Sequence, residues 1–137
     1  MDRLADYARS REIDYVVSAE ARGFVLGGAV AAATGAGFIL ARKPGKLPRA
    51  TVQAEYALEY GTDTLELHSD AVHGGSRVLV HDDLLATGGT ASATCSLVEQ
   101  LGGVVVGCAF LIELAFLRGR ERLQGRNVHS LLSYDSE

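Results

Sequence analysis

The segment that decides the fold runs Val78-Leu79-Val80-His81-Asp82-Asp83-Leu84-Leu85-Ala86-Thr87-Gly88-Gly89-Thr90-Ala91. It begins in the apolar run Arg77 to His81, which is typical of a buried strand. Two acids and two leucines follow, and Gly88-Gly89 leads into a helix that the pattern predicts from Ala91 to about Leu101. Gly102-Gly103 ends this helix, because glycine tolerates the left-handed conformation that follows a helix C-terminus. The segment therefore predicts a strand, a glycine-rich turn and a helix in succession.

Further strands and helices alternate on both sides of this unit. Such alternation favours right-handed crossovers, so we expect an α/β fold with a mostly parallel sheet flanked by helices on both faces. Arg42 to Arg49 holds both prolines and four cations and should be an exposed loop. The remaining predicted elements are the strand Tyr15-Val16-Val17, a turn over Glu20 to Gly23, the helix Phe24 to about Thr34, the strand Gly37 to Ala41, a hairpin of Tyr56 to Tyr60 and Thr64 to His68 turning at Gly61-Thr62-Asp63, the strand Val104 to Leu114, a short basic helix Leu117 to Leu123 and the strand Val128 to Leu132.

Length and composition restrict the class of protein. With 137 residues, 47% hydrophobic and 22% charged, the chain fits one domain over residues 1–137 with a buried core, and its composition argues against disorder. A formal charge of -4 provides no long-range attraction for nucleic acid or an anionic membrane. Cys95 and Cys108 form no metal-binding motif and should be buried. The N-terminus has no apolar signal core, and we expect a cytoplasmic protein.

The turn after the predicted strand has the composition of a phosphate site. Ligands of open α/β sheets bind beyond the carboxyl ends of the strands, where the next helix presents unpaired N–H groups and its positive dipole end. Gly88 and Gly89 let the backbone approach a phosphate. Thr87 and Thr90 add hydroxyl donors and a candidate N-cap. The acids Asp82-Asp83 suit the vicinal hydroxyls of a ribose, so the pattern points to a sugar phosphate.

Simpler explanations of this pattern are less favourable. The acids alone fit a solvated loop and the glycines an ordinary tight turn, but the strand, the acid pair and the Thr-Gly-Gly-Thr helix start occur together. The chain has no Walker A, GxGxxG or GxSxG motif, which removes the usual support for nucleotide hydrolysis, dinucleotide binding and serine-hydrolase chemistry.

Other polar residues are expected to have structural roles. We expect His81 to lie in the core or at an edge of the sheet. The exposed face of the short basic helix is expected to consist of Arg118, Arg120, Arg122 and Arg126.

These motifs resemble those of the type I phosphoribosyltransferase family. Val78 to Thr90 resembles the family's phosphoribosyl pyrophosphate signature, in the form found in members that use adenine. Three further segments match in the family's order: Glu20-Ala21-Arg22-Gly23-Phe24 resembles the pyrophosphate loop, Arg42-Lys43-Pro44-Gly45-Lys46-Leu47-Pro48 the basic loop, and Leu58-Glu59-Tyr60-Gly61 the end of the catalytic loop. The resemblance runs from about Asp14 to the C-terminus.

The resemblance implies a fold and an activity. It implies the type I phosphoribosyltransferase fold with a flexible loop, and transfer of ribose 5-phosphate from phosphoribosyl pyrophosphate to N9 of adenine, which releases pyrophosphate and forms AMP in purine salvage. It also implies Mg2+ held mainly by the substrate, and a homodimer with no nucleic acid or membrane partner. The transition state resembles an oxocarbenium ion, so the site must anchor the ribose, neutralise the pyrophosphate and exclude water.

The resemblance also assigns roles to residues of this chain. Glu59 is the expected catalytic acid/base, which takes the N9 proton once a lid loop from about Pro44 to Glu59 closes. The Glu20–Ala21 peptide bond is expected to be cis. No protein residue is expected to be a main metal ligand. The expected substrate-binding residues are Ala86, Thr87, Gly88, Gly89 and Thr90 for the 5-phosphate, Asp82 and Asp83 for the ribose hydroxyls, and Ala21, Arg22, Arg42, Lys43 and Lys46 for the pyrophosphate.

The segment before Asp14 bears on base specificity. Members that use adenine carry several tens of residues before this position, including a hood that covers the purine, whereas thirteen residues precede it here. We therefore expect the hood to be largely missing. Two alternatives to an adenine-specific enzyme stay open: a phosphoribosyltransferase that uses xanthine, guanine or orotate, and a non-catalytic module that senses phosphoribosyl pyrophosphate or AMP.

Overall fold

The computed structural model describes residues 2–58 and 61–136, with only the backbone of Leu58. No helix within these ranges combines the length and the apolar character needed to cross a membrane. The described elements are α1 (Asp2–Arg11), β1 (Tyr15–Ala19), α2 (Gly23–Thr34), β2 (Gly37–Ala41), β3 (Thr51–Leu58), β4 (Gly61–His68), β5 (Arg77–Leu85), α3 (Gly89–Gln100), β6 (Val104–Leu114), two 3-10 helices (Ala115–Leu117 and Gly119–Leu123) and β7 (Val128–Tyr134).

Five strands form a parallel sheet in the order β2-β1-β5-β6-β7, and β3 pairs with β4 in a separate antiparallel sheet. The central strand β5 lies beside β1, with Leu79 opposite Val16, and beside β6, with Leu85 opposite Glu113. Because the five strands run in one direction, the carboxyl ends of β1, β2, β5 and β6 meet at one edge. The expectation of an α/β fold with a mostly parallel sheet is confirmed.

Different elements cover the two faces of the parallel sheet. Successive strand residues point to opposite faces, so Val16 and Leu79 belong to one buried layer and Val17 and Val80 to the other. Helices α1 and α2 cover the first layer, with buried Leu4, Ala8, Val30 and Ala31. Helix α3 and the β3-β4 hairpin cover the second layer, with buried Leu65, Leu67, Cys95 and Leu97. Both cysteines are buried, as expected.

Helix α1 is an element that the sequence analysis did not predict. It occupies Asp2–Arg11, and its apolar residues Leu4, Ala5 and Ala8 lie on one buried face. The side chain of Arg77 donates hydrogen bonds to the carbonyl oxygens of Arg11 and Glu12 at the end of this helix. An isolated helix of ten residues is only marginally stable in water, so α1 depends on such tertiary contacts. Its apolar pattern is also too short to predict the helix from the sequence.

The β3-β4 hairpin begins earlier than expected. Because β3 starts at Thr51, the expected lid loop from Pro44 to Glu59 is wrong for residues 51–58. The expected turn at Gly61-Thr62-Asp63 is wrong as well, because these residues already belong to β4 and Gly61 lies opposite Leu58. Val52, Ala54 and Tyr56 pack against the core at every second position, and this alternation is the signal that the flanking charges and prolines obscured.

The expected basic helix from Leu117 to Leu123 is wrong in its form. The chain instead makes two 3-10 helices, Ala115–Leu117 and Gly119–Leu123. Arg118 lies between them with a φ of +57°, which interrupts a continuous right-handed helix. Leu123 at the end of the second 3-10 helix is buried in the core, so this irregular segment is fixed to the rest of the fold.

Candidate active site

A cavity of about 160 Å³ opens beyond the carboxyl end of β5, where the chain passes from the strand into α3. Its lining residues are Arg22 and the continuous segment from Asp82 to Ala91. The cavity therefore combines two carboxylates, one guanidinium group and the whole glycine-rich turn. Within the predicted substrate-binding set, it brings together Arg22, Asp82, Asp83 and the five residues from Ala86 to Thr90.

The glycine-rich turn has the conformation of an anion cradle. Gly88 has a φ of +87°, which residues with a side chain rarely adopt, and it is the N-cap of α3. In the part of the chain that is described, no side chain caps this helix, so the expectation that Thr87 or Thr90 is the N-cap is wrong. The N–H groups of the first turn are therefore available to an anion at the positive end of the helix dipole.

The second 3-10 helix supports this turn from behind. A Cβ atom on Gly88 would lie 2.5 Å from the carbonyl oxygen of Gly119, and a Cβ atom on Gly119 would lie 2.5 Å from the carbonyl oxygen of Ala86. Real Cβ atoms do not approach oxygen this closely, so both positions require glycine. The sequence analysis missed Gly119, because no spacing or periodicity connects it with a turn thirty residues earlier.

The two aspartates at the end of β5 lie in different electrostatic environments. Burial and, to a smaller extent, a hydrogen bond with the Asp83 side chain together raise the pKa of Asp82 to about 7. The backbone N–H of Asp83 donates a hydrogen bond of 2.8 Å to Asp82 Oδ1. Arg22 Nε lies 3.5 Å from Asp83 Oδ2. The pair therefore holds a proton near neutral pH, with Asp83 paired to the one guanidinium group that lines the cavity.

Glu20 connects the pyrophosphate loop to the basic loop. The Glu20–Ala21 peptide bond is cis, as the resemblance implied. Glu20 Oε1 accepts a hydrogen bond of 2.6 Å from the backbone N–H of Lys43 and lies 3.4 Å from Arg42 Nε. The Lys43 amide is the largest of the influences that lower the pKa of Glu20. The sequence analysis assigned no role to Glu20, although Glu20 is the first residue of the segment Glu20-Ala21-Arg22-Gly23-Phe24 that resembles the pyrophosphate loop.

The basic loop is tied to the hairpin rather than to the cavity. Lys43 Nζ lies 3.7 Å from Asp63 Oδ2, which also accepts a hydrogen bond from the Tyr56 hydroxyl. The backbone N–H of Gly45 donates to the buried carboxylate of Glu66. Glu66 accepts further hydrogen bonds from Thr51 and Gln53 of β3. The loop and the hairpin are therefore joined through Asp63 and Glu66, two acids that the sequence analysis did not single out.

Some predicted site residues lie outside the lining of the cavity. Ala21, Arg42, Lys43 and Lys46 do not line it, although Ala21 precedes Arg22 directly and Glu20 connects Arg42 and Lys43 to the same edge of the sheet. Lys46 is exposed in the basic loop. Glu59 lies outside the described residues.

The residues expected to be structural follow that expectation only in part. His81 is 1% exposed and its Nδ1 lies 2.9 Å from the carbonyl oxygen of Ala109, while burial lowers its pKa. It is a core histidine, as expected. The expectation of an exposed arginine face is confirmed for Arg118, Arg120 and Arg122, although Arg120 also binds the carboxylate of Glu113. It is wrong for Arg126, whose partly buried side chain binds the carboxylate of Glu99.

Comparison with known proteins extends the likeness over almost the whole chain. The phosphoribosyl transferase domain family matches residues 2–130. An adenine phosphoribosyltransferase from Rubrobacter xylanophilus is 61% identical over 135 residues, which are 98% of this chain and 73% of that protein. The crystal structure of an adenine phosphoribosyltransferase from Rhodothermus marinus superposes with a TM-score of 0.92 at 55% identity, covering 96% of this chain and 75% of that one.

A third similar protein was crystallised with ligands. The adenine phosphoribosyltransferase of Saccharomyces cerevisiae, in complex with an imino-altritol bisphosphate and adenine, has a TM-score of 0.84 and 42% identity over 90% of this chain and 73% of its own. Sequence identity above 40% over most of each chain, together with the matching fold, shows common descent. The chain belongs to the adenine phosphoribosyltransferase family of type I phosphoribosyltransferases, which are pentosyltransferases.

Proposed function

We propose that this protein transfers the 5-phosphoribosyl group of phosphoribosyl pyrophosphate to N9 of adenine and forms AMP and pyrophosphate. One observation carries the proposal: a single cavity contains both an uncapped helix start with a left-handed glycine and a pair of carboxylates. The first feature suits a phosphate monoester and the second suits vicinal hydroxyls. A sugar phosphate has both groups in one molecule and therefore suits this cavity.

In this proposal the turn from Ala86 to Thr90 binds the 5-phosphate, through the N–H groups of the first turn of α3 and the hydroxyls of Thr87 and Thr90. Asp82 and Asp83 accept hydrogen bonds from the ribose hydroxyls. A hydroxyl donor favours the ionised carboxylate, so ribose binding should release the proton that burial keeps on Asp82. Anchoring the sugar at both ends fixes the anomeric carbon for in-line transfer.

The leaving pyrophosphate needs cations at the neighbouring edge of the sheet. Arg22 lines the cavity, so Arg22 and the backbone around Ala21 are the first candidates to bind the pyrophosphate. Arg42, Lys43 and Lys46 would add charge from the basic loop. Arg22, Arg42 and Lys43 are paired with carboxylates at 3.4 to 3.7 Å, and the three cations are at least partly exposed. Exposed pairs of this length are weak, so a pyrophosphate can replace the carboxylates as partner.

Magnesium fits this site as an ion that the substrate carries. Across residues 2–58 and 61–136, no group of three or more His, Cys, Asp or Glu side chains is placed to hold a metal ion. Asp82 and Asp83 offer two carboxylates, and Mg2+ prefers six oxygen ligands, so substrate oxygens and water would supply the others. When bound, the ion neutralises charge on the pyrophosphate. The residues of the chain then orient the sugar and hold the 5-phosphate.

The base specificity and the acid/base role of Glu59 are part of the same proposal. The yeast relative was crystallised with adenine, and this supports adenine as the acceptor base here. In the sequence Glu59 follows Leu58, the last residue of β3, and the carbonyl oxygen of Ala57 in this strand would lie 3.5 Å from a Cβ atom on Gly89 of the glycine-rich turn. In this proposal the Glu59 carboxylate takes the N9 proton as the glycosidic bond forms.

A homodimer in the cytoplasm completes the proposal. Helix α2 contains no charged residue, and Val25 on its outer side is 78% exposed. An exposed helix face of apolar and small residues is typical of an interface between identical subunits.

The cytoplasmic location is supported by the substrates themselves, because phosphorylated sugars are charged and do not cross membranes unaided.

Turnover with different bases tests the proposed function. With phosphoribosyl pyrophosphate and Mg2+, we expect adenine to give AMP and pyrophosphate, and we expect guanine, xanthine and orotate to react at least about 100-fold more slowly in kcat/KM. Chromatography of the nucleotide products provides the measurement. Turnover of another base without adenine turnover would contradict the specificity, and binding of AMP without any turnover would favour a sensing module.

The raised pKa of Asp82 predicts how stability depends on pH. Between about pH 4 and pH 7 the native carboxyl keeps its proton while the unfolded one loses it, so the free energy of unfolding should fall as pH rises through this range. Asp82→Asn keeps a neutral side chain and should therefore be more stable than wild type at pH 8 by about 2–3 kcal/mol. Urea unfolding at pH 4 and pH 8 measures the difference. Asp135→Asn, at an exposed position after β7, is the control. An equal pH profile for wild type and Asp82→Asn would refute the assignment.

Replacement of Glu59 separates chemistry from binding. Glu59→Gln removes the proton acceptor and keeps the shape, so kcat should fall by about 100-fold or more, while the Kd of AMP changes less than about threefold. Glu55→Gln, at an exposed position of β3, is the control for loss of a glutamate charge and should keep wild-type kinetics. Steady-state kinetics and calorimetric AMP titration provide both numbers. A Glu59→Gln protein with wild-type kcat would remove Glu59 from the mechanism.

Sedimentation velocity tests the proposed dimer. The wild-type chain should sediment as a dimer at micromolar concentration, and Val25→Glu should shift it toward the monomer. Val25 is the third residue of α2, where an acidic side chain interacts favourably with the positive end of the helix dipole. The substitution should therefore not unfold the helix. Leu132→Glu is the control. It places the same charge at an exposed apolar position of the edge strand β7, and the dimer should stay intact. A wild-type monomer at these concentrations would contradict the proposal.

A further inference from the structure

An ion pair between a buried carboxylate and a half-exposed guanidinium group lies next to the glycine-rich turn. Glu113, near the end of β6, is 5% exposed. Arg120 Nε lies 3.0 Å and 2.8 Å from its two carboxylate oxygens, and the Ser130 hydroxyl donates a hydrogen bond of 2.8 Å to Oε1. Arg120 also contacts the carbonyl oxygen of Val128 at the start of β7. The pair thus connects β6, the second 3-10 helix and β7.

The residue before Arg120 is the glycine that touches the turn. Gly119 packs so closely on the turn that a Cβ atom at this position would collide with the carbonyl oxygen of Ala86, and the carbonyl oxygen of Gly119 leaves no room for a Cβ atom on Gly88. Glu113 itself lies opposite Leu85, the last residue of β5 before the turn. The carboxylate is therefore anchored in the same strand pair that delivers the turn, and Arg120 fixes Gly119 against it.

We propose that Glu113 and Arg120 act as a positioning pair for the binding of the 5-phosphate, by holding the Gly119 backbone against the turn from Ala86 to Gly88. The inference rests on the proposed function. The left-handed conformation of Gly88 has no side-chain cap to maintain it within the described residues. Its shape before ligand arrives must come from the backbone packed behind it, and a preformed cradle loses less entropy on binding than a mobile one.

The Glu113–Arg120 ion pair should stay formed at neutral pH. The hydrogen bond from Arg120 is the largest influence that lowers the pKa of Glu113, so the carboxylate stays ionised at neutral pH. A buried carboxylate that loses its cation is left without compensation, which makes the pair costly to open. The site pairs of Arg22, Arg42 and Lys43 differ, because their contacts are 3.4 to 3.7 Å long.

The chain contains a matched control pair. Arg126 binds Glu99 through two hydrogen bonds of 3.0 Å and 2.8 Å, near Val104 where β6 begins, at the opposite edge of the sheet. Glu99→Gln removes the same chemical group from another two-bond pair that makes no contact with the turn, with the difference that Glu99 is half exposed and Glu113 is buried. Any effect common to Glu113→Gln and Glu99→Gln reflects general stability, and an effect confined to Glu113→Gln reflects the turn.

The test compares ligand binding and kinetics in both variants well below their melting temperatures. For Glu113→Gln we expect the Kd of AMP and of ribose 5-phosphate to rise between about 10-fold and 100-fold. KM for phosphoribosyl pyrophosphate should rise with them, while KM for adenine and kcat change less than about threefold. Glu99→Gln should lower the melting temperature and leave all these constants at wild-type values. Arg120→Lys keeps the charge but not the paired geometry, and should give an intermediate Kd.

The outcomes separate this inference from the proposed function. If wild type binds AMP and both Glu113→Gln and Arg120→Lys keep wild-type Kd values, the positioning role is overturned while the function stands. Equal losses in Glu113→Gln and Glu99→Gln overturn it as well, because they indicate stability alone. If Glu113→Gln does not fold, Arg120→Lys decides by the same criterion. Absence of AMP binding by the wild-type chain contradicts the proposed function itself, and the inference falls with it.

Discussion

The central position of β5 between two parallel neighbours constrains everything at the site. Its apolar residues are buried on both faces, so its path is fixed by packing, and its last residues must emerge at the edge where β1 and β6 also end. Strand β5 delivers the aspartates and the turn, β1 leads to Glu20 and Arg22, and β6 brings Glu113 behind the turn. Three parallel strands therefore provide the ligand-binding groups and their support at one edge.

Two groups of ion pairs among the described residues have different roles. The pairs of Arg120 with Glu113 and of Arg126 with Glu99 have contacts of 2.8 Å and join separate elements. The pairs that involve Arg22, Arg42 and Lys43 are longer and lie around the cavity edge. The Arg120–Glu113 pair resists exchange because the carboxylate is buried, whereas long pairs at an exposed edge lose little when a phosphate replaces the carboxylate. The site thus keeps its cations available, and the scaffold beneath it stays fixed.

The parts of the fold and site that the sequence predicted depend on local pattern. The apolar run before Asp82, the Gly88-Gly89 turn and the helix after it are adjacent in the chain, so their local structure follows from spacing and residue type. What was missed depends on distant contacts. Gly119 meets the turn only because β6 brings the chain back, and Glu20 binds Lys43 only because β1 and β2 end side by side. Helix α1 is fixed largely by its packing on the sheet layer.

The central claim is that the turn after β5 binds a phosphate monoester while Asp82 and Asp83 hold the attached ribose. Calorimetric titration of AMP and adenosine against wild type and the double variant Asp82→Asn with Asp83→Asn tests it most directly. We expect wild type to bind AMP at least about 100-fold more tightly than adenosine, because the phosphate and a helix start interact favourably. The double variant should lose most of its AMP affinity and remain folded. Equal AMP affinity in the two proteins, or equal affinity of wild type for AMP and adenosine, would contradict the account.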